Sequence, residues 1–230
     1  MKSWTRRWWL FCLAGVCLPQ GRAQQVISAR SGLIQYFERS VFLNEELLER
    51  TPNRFAQMEP YDVLRTAGGR AEVLAAPEVF LRIRERSSVR LLSDSLTEPR
   101  YELLSGSMIL EAQEMPRRGS VQILWRDCKA TISKRAIFRL DSATGNLRVI
   151  EGEVNVLAGG KQVRVTRGRW ISLKENLTTG KFDRTLGDSF DIWSARRSQV
   201  LAAEAMRRMR GARPFRRPPA PYSASSPAMR

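Results

Sequence analysis

Residues 146–173 read NLRVIEGEVNVLAGGKQVRVTRGRWISL, short alternating apolar runs cut at near-regular intervals by glycine. Leu147/Val149, Val154/Val156 and Val163/Val165 each place two apolar side chains on one face of an extended chain, and Arg148, Asn155 and Arg164 fall on the other. Gly152, the Gly159-Gly160 pair and Gly168 give the backbone the freedom that tight turns need. The stretch predicts a stack of short strands joined by turns.

The same reading extends in both directions. Upstream, Val26, Leu33-Ile34, Tyr36-Phe37 and Val41 to Leu43 read as strands, although Asn44 to Arg50 could also form a helical turn. Tyr36 to Leu43 lines up with Val149 to Val156 as two apolar residues, a glutamate, a turn pair and a short apolar run, so one unit occurs twice. Between the two copies, Gly68-Gly69 and Gly106 mark further turns. Val79/Leu81/Ile83 alternate with Phe80/Arg82/Arg84, which predicts a wet, basic outer face. Val121/Ile123/Trp125, Ala130/Ile132 and Ala136/Phe138/Leu140 continue the pattern, for about a dozen strands in all.

The 230 residues, 43% of them hydrophobic, suffice for one principal core. The formal charge is +16 and suits an anionic partner. Residues 1–23 read as a removable secretory signal, with Lys2, Arg6 and Arg7 before the apolar run Trp8 to Leu18 and small residues at Gly21 and Ala23. Cys17 as a lipidation site is the lesser alternative, because Val16 precedes it. Signal removal leaves a charge of +12 and one cysteine, Cys128, so an internal disulfide is excluded. No 18-residue apolar run follows residue 23, which predicts no transmembrane segment in the exported chain.

Near the end the period changes. Asp188 can cap a helix in which Phe190, Trp193, Val200 and Leu201 share a broad face. From Arg207 onward seven arginines, no acid and five of the eleven prolines make a segment that cannot bury enough to fold. The expected organisation is a signal at 1–23, a β domain at 26–175, a linker at 176–187, an amphipathic helix at 188–209 and a disordered basic tail at 210–230.

The residues Asp62 to Thr66, Leu103-Leu104-Ser105-Gly106, Val149 to Val156 and Gly168 before Trp170 resemble the FecR domain family, over roughly residues 30–175. The Glu-Gly-x-Val-x-Val element is the most specific part of the likeness. The resemblance implies a mainly β, short-strand, solenoid-like fold and a binding or signalling role without catalysis. Regulators of that family also carry a cytoplasmic region that handles a sigma factor and an internal transmembrane helix, and neither is read here. Arg39 stands where the second unit has Gly152.

Chemistry is constrained by the absence of histidine, which removes Ser/His and Cys/His nucleophile activation and the commonest metal ligand. Lone Cys128 does not make a zinc site, and no cofactor motif is present. Glu151 and Glu153, with Glu38 in the equivalent place, could in principle pair for acid/base work, but read better as solvated turn charges. Trp125, Trp170 and Trp193 read as core rather than stacking platforms. Candidate contacts to an anionic partner are Arg207, Arg208, Arg210, Arg213, Arg216 and Arg217, and Gly68, Gly69, Gly106, Gly152 and Gly168 are the structural turn residues. The sequence thus leads to an exported, non-enzymatic binding or scaffold protein of the periplasm or cell surface, whose partner is an envelope protein or anionic polymer. A regulator in transport or sigma-factor signalling that acts through a separate anchored protein is the alternative. A nucleic-acid or acidic-polymer binder is the second, with nucleic acid disfavoured by export.

Overall fold

The computed structural model describes residues 30–50, 55–174 and 177–211. The expected signal and residues 212–230 of the expected tail lie outside them. Among the described residues eighteen strands precede one helix, α1 (Ser189–Gly211). One nine-stranded sheet is built from β1 (Leu33–Glu38), β4 (Ala56–Gln57), β6 (Arg70–Ala76), β7 (Val79–Ile83), β10 (Ser107–Ala112), β13 (Ala136–Asp141), β14 (Asn146–Glu151), β17 (Arg169–Ser172) and β18 (Thr179–Lys181). The other, also of nine strands, is built from β2 (Val41–Leu43), β3 (Glu46–Leu47), β5 (Val63–Thr66), β8 (Ser87–Ser93), β9 (Arg100–Ser105), β11 (Val121–Trp125), β12 (Cys128–Ile132), β15 (Glu153–Ala158) and β16 (Lys161–Thr166). The spatial orders are β18-β17-β14-β13-β10-β7-β6-β1-β4 and β16-β15-β12-β11-β9-β8-β5-β2-β3. Neither sheet closes into a barrel.

The two sheets lie face to face because alternation gives each strand one apolar side. Val73, Leu81, Leu110, Phe138 and Leu147 of the first sheet join Leu64, Leu91, Tyr101, Ile123 and Val154 of the second in one buried cluster. Trp125 is part of it, at 3% exposure. Cys128 is buried as well, and burial, followed by the charge of Asp127, pushes its thiol above the ordinary range.

The chain passes repeatedly from one sheet to the other, and the edge at which it does so changes partway. Up to β10 the passages after β1, β5, β7 and β9 share one edge, because Glu38 pairs with Arg70, Thr66 with Ser87, Met108 with Ile83 and Ser88 with Ser105, whereas the passage from β4 to β5 at 58–62 lies at the other, where Leu33 pairs with Gln57 and Val63 with Arg90. The segment 113–120 then enters β11 parallel to β9, the one parallel pair among the described strands. From there the passages at 133–135, Gly152 and 167–168 lie at the opposite edge, where Ala112 pairs with Ala136 and Ile137 with Glu151. Elsewhere among the described strands neighbours are antiparallel, so the mainly β expectation stands, and this pairing does not confirm the solenoid-like coil.

Several local readings are adjusted. Asn44 and Glu45, at φ 49° and 68°, close the β2–β3 hairpin in place of a helical turn. The expected linker at 176–187 holds β18, which pairs with β17. The expected strands at Gln25 to Val26 lie outside the described residues.

Glu38 and Glu151 each end a strand of the first sheet just before a passage to the second, followed by Arg39 at φ 58° and Gly152 at φ 74°. The two units are therefore alike locally but sit at opposite edges of the molecule. Gly106 and Gly168 also occupy passages at positive φ, 82° and 78°. Gly69 lacks positive φ, yet a Cβ there would lie 2.0 Å from the Glu38 carbonyl oxygen, and a Cβ at Gly68 would meet nothing within 4 Å.

Candidate protein-binding interface

The helix lies on the outer face of the first sheet, where the basic, wet surface was expected. Arg82 and Arg139 are instead buried, at 0% and 4% exposure. Burial of a guanidinium is tolerable only when its charge is matched, and at Arg82 the charge and all donors but Nη2 are matched. Arg82 Nε donates to Glu72 Oε2 at 2.8 Å, its Nη1 donates to Ser194 Oγ at 2.8 Å, and Nη1 also pairs with Glu111. From the helix, Arg197 Nη2 donates to Glu72 Oε1 at 2.6 Å, and Ser198 donates to Glu111 Oε2 at 2.6 Å.

One turn earlier in the helix, Asp188 and Asp191 form its N-terminal cap. Asp188 Oδ1 accepts from the amides of Phe190 and Asp191 at 2.9 and 3.1 Å, and Asp191 Oδ2 accepts from the Asp188 amide at 3.0 Å. Both carboxylates also hold Arg139, whose Nη1 donates to Asp188 Oδ1 at 2.9 Å and Asp191 Oδ2 at 3.0 Å. Arg84 donates to Asp188 Oδ2 at 3.0 Å. Burial alone would raise the Asp188 pKa, but the Arg139 hydrogen bond, the Asp191 amide and the charges of Arg139 and Arg84 hold it well below the usual carboxylate range. Glu111 follows the same pattern: burial pushes it up, and the Arg82 charge with bonds from Ser198, Arg82 and Gln113 brings it below its ordinary value. Aromatic packing completes the seam. Phe190 is fully buried and stacks on Trp193 at 5.9 Å, and Arg197 sits 4.0 Å over the Tyr36 ring.

This seam clamps the helix to the domain. Its acids are held by guanidinium groups and hydroxyls, so it offers an anchored surface and not a free acid/base pair. Glu151 and Glu153, weighed as such a pair, fall in different sheets on either side of Gly152. Glu151 pairs with Arg135 at 3.0 Å, and Glu153 pairs with Lys134 at 3.9 Å and with Arg164. Among the described residues no cluster of three or more His, Cys, Asp or Glu could hold a metal. No described helix is long and apolar enough to cross a membrane.

The second feature is an open sheet edge. The two-residue loop Gly159-Gly160, at φ 54° and 75°, fixes the β15–β16 register, with Ala158 opposite Lys161 and Asn155 opposite Arg164. Arg167 donates its amide to the Gly152 carbonyl at 2.9 Å at the far end of the same ladder. Antiparallel pairs alternate, so Lys161, Val163 and Val165 bond inward to β15 while the amides and carbonyls of Gln162, Arg164 and Thr166 face outward. Among the described strands β16 pairs with β15 alone. It is six residues long, whereas the edge strands β3, β4 and β18 have two, two and three. Such an edge can add a strand from another chain. Lys161, Gln162, Arg164 and Arg167 are exposed around it, so its surroundings are basic.

Of the predicted anionic contacts, Arg207 and Arg210 are exposed on the last turns of the helix. The Arg208 side chain and Arg213, Arg216 and Arg217 lie outside the described residues. Trp170 and Trp193 are half-buried, and Trp193 serves the helix seam. Sequence reading missed the seam itself. Its available signal was the polar stripe Ser194, Arg197 and Ser198, at helical spacing, together with outward acids Glu72 and Glu111 on strands that otherwise bury apolar residues.

No family model matches the chain, and no curated protein matches it. Two crystal structures of a protein from Parabacteroides distasonis ATCC 8503, described as "a putative anti-sigma factor", are similar to it at 13% identity and a TM-score of 0.43. In each case 52% of this chain and 57% of the other are covered, so the chain spans little more than half the length of those proteins.

Proposed function

We propose that the chain is an exported, non-catalytic regulator of the transport- or sigma-signalling kind, which works by binding a separate membrane-anchored protein. The open β16 edge carries this reading, because the outward backbone groups of Gln162, Arg164 and Thr166, on a six-residue edge strand in a basic setting, suit an extended, acid-rich segment. The residues that resemble the FecR domain family support the regulatory role. The helix clamp supports a rigid presenting surface.

The reading is tested by proline scanning of the edge. Arg164→Pro removes an outward donor and leaves the β15 ladder intact, and Arg164→Ala controls for the lost charge. A photo-crosslinker at Gln162 is expected to capture an extended periplasmic segment of one anchored protein. Capture is lost in Arg164→Pro and retained in Arg164→Ala. Equal capture by all three proteins overturns the reading.

A second reading rests on the exposed Arg207 and Arg210, which favour an anionic envelope polymer. Arg207→Ala with Arg210→Ala, combined with truncation after Gly211, should lose heparin retention, and unchanged retention overturns that reading.

A further inference from the structure

The helix covers only part of the first sheet's outer face. Beyond it Ile109, Ile137 and Ile150, from the adjacent strands β10, β13 and β14, floor a pocket of about 370 Å³. Ser194 and Ala195 of the helix form one wall, and Phe182 and Leu186, in the segment after β18, form the other. Leu186, 74% exposed, stands at the rim.

The charges that line the pocket are not equivalent. Glu111 is engaged by Arg82, Ser198 and Gln113, and Asp191 by Arg139 and the Asp188 amide. Arg148 reaches Asp191 Oδ2 only at 3.8 Å, against 3.0 Å for Arg139, and lies over the Phe182 ring at 5.5 Å. Arg184 forms no ion pair with any described residue. Asp191 Oδ1 is buried without a hydrogen-bond partner, but charge for charge Glu72, Glu111, Asp188 and Asp191 are matched by Arg82, Arg84, Arg139 and Arg197, so the uncommitted charge at the rim is positive.

We propose that this pocket binds a small anionic amphiphile, with its apolar body over the three isoleucines and its head group at Arg148 and Arg184. The size and mostly apolar lining with a few placed polar groups are those of small-ligand sites. The occupant is a carboxylate-headed acyl chain rather than a cationic or neutral one, because the charge left free is cationic. The site is on the opposite sheet from β16 and is independent of the proposed regulatory role.

The test is calorimetric titration of the delipidated full chain with decanoate, decanol and decylammonium, each below its micellar concentration. Decanoate is expected to bind about fivefold or more tighter than decanol, the scale of one partly exposed ionic contact. Arg148→Met combined with Arg184→Met, which leaves Asp191 held by Arg139 and the Asp188 amide, should reduce decanoate to the affinity of decanol. Ile137→Trp, which fills the pocket, should abolish binding of both. Arg164→Pro should leave decanoate binding intact. The proposal is overturned if none of the three ligands binds, if decanoate has no advantage over the other heads, or if the double methionine variant binds decanoate unchanged.

Discussion

Glu72 and Arg82 face each other directly across the β6–β7 ladder, with carboxylate and guanidinium 2.8 Å apart and both side chains wholly excluded from water. Two charges so placed depend on one another, since removing either leaves the other desolvated and unpaired. Arg82→Met should therefore destabilise the domain by about 3–5 kcal/mol, because Glu72 and Glu111 both lose their central partner. A urea melt of the variant measures it. Replacing Glu72, Arg82 and Glu111 together by apolar residues of similar size should cost much less than Arg82→Met alone, and a triple variant weaker than the single one would show that the pairing itself is a net source of stability.

Acid should act on the same seam. Glu85 is pushed up by burial, but bonds from Arg70, its own amide and Arg84 lower it from its ordinary 4.5 to about 2, and Asp188 and Glu111 are lowered too. Each carboxyl binds protons more weakly folded than unfolded, so its contribution is fully present above the unfolded value, 4.5 for Glu85 and Glu111 and 3.8 for Asp188, and is lost as pH falls toward 2. The urea midpoint should stay level from pH 8 to 6 and drop between pH 4.5 and 2.5. Asp188→Asn should flatten part of that drop. Histidine is absent, so no transition is expected near pH 6.5.

Asp188 also joins two structures in one side chain, the helix cap and the Arg139 clamp. Asp188→Ala should cost more than the roughly 1 kcal/mol of an ordinary cap, because Arg139 is left buried with half its acceptors. Hydrogen exchange should show faster exchange in the first turns of α1 and little change in β15 and β16. Asp188→Asn should restore the cap bonds but not the ion pair, and so fall between the alanine variant and wild type. Uniform acceleration across both sheets would mean that the helix is integral to the fold and not clamped onto it.

Alternation along the strands made the buried sides of β7, β10, β13 and β14 legible, because Val79/Leu81/Ile83 or Leu147/Val149 can meet only one core. The same alternation misled on the other side. An arginine at every second position describes a face, not what covers it, and the acids that neutralise Arg139 lie 49 and 52 residues downstream. The change of passage edge at β11 was equally hidden, since it depends on segment 113–120 entering parallel to β9 and not on any residue pattern. The β16 edge was visible as a strand but not as an edge, because strand order is a non-local property.

The two repeated units permit a paired test of the passages between sheets. Gly152 sits at φ 74° and an added Cβ would lie 2.3 Å from the Arg135 carbonyl oxygen, against backbone that cannot yield cheaply. Gly152→Ala combines left-handed strain of about 1–2 kcal/mol with that collision, so its loss should exceed the strain alone. Arg39 occupies the matching place at φ 58° and already carries such strain, which Arg39→Gly should relieve for a gain of about 0.5 kcal/mol after the entropic cost of glycine. Gly68 is the control: its φ is not positive and a Cβ meets open space, so Gly68→Ala should be neutral or up to about 1 kcal/mol stabilising through the unfolded chain. Thermal unfolding of the three variants should rank them Gly152→Ala below wild type and the other two at or above it. A tolerated alanine at Gly152 would mean that the 133–135 passage shifts freely, and that the glycine is not what holds the β14–β15 corner in place.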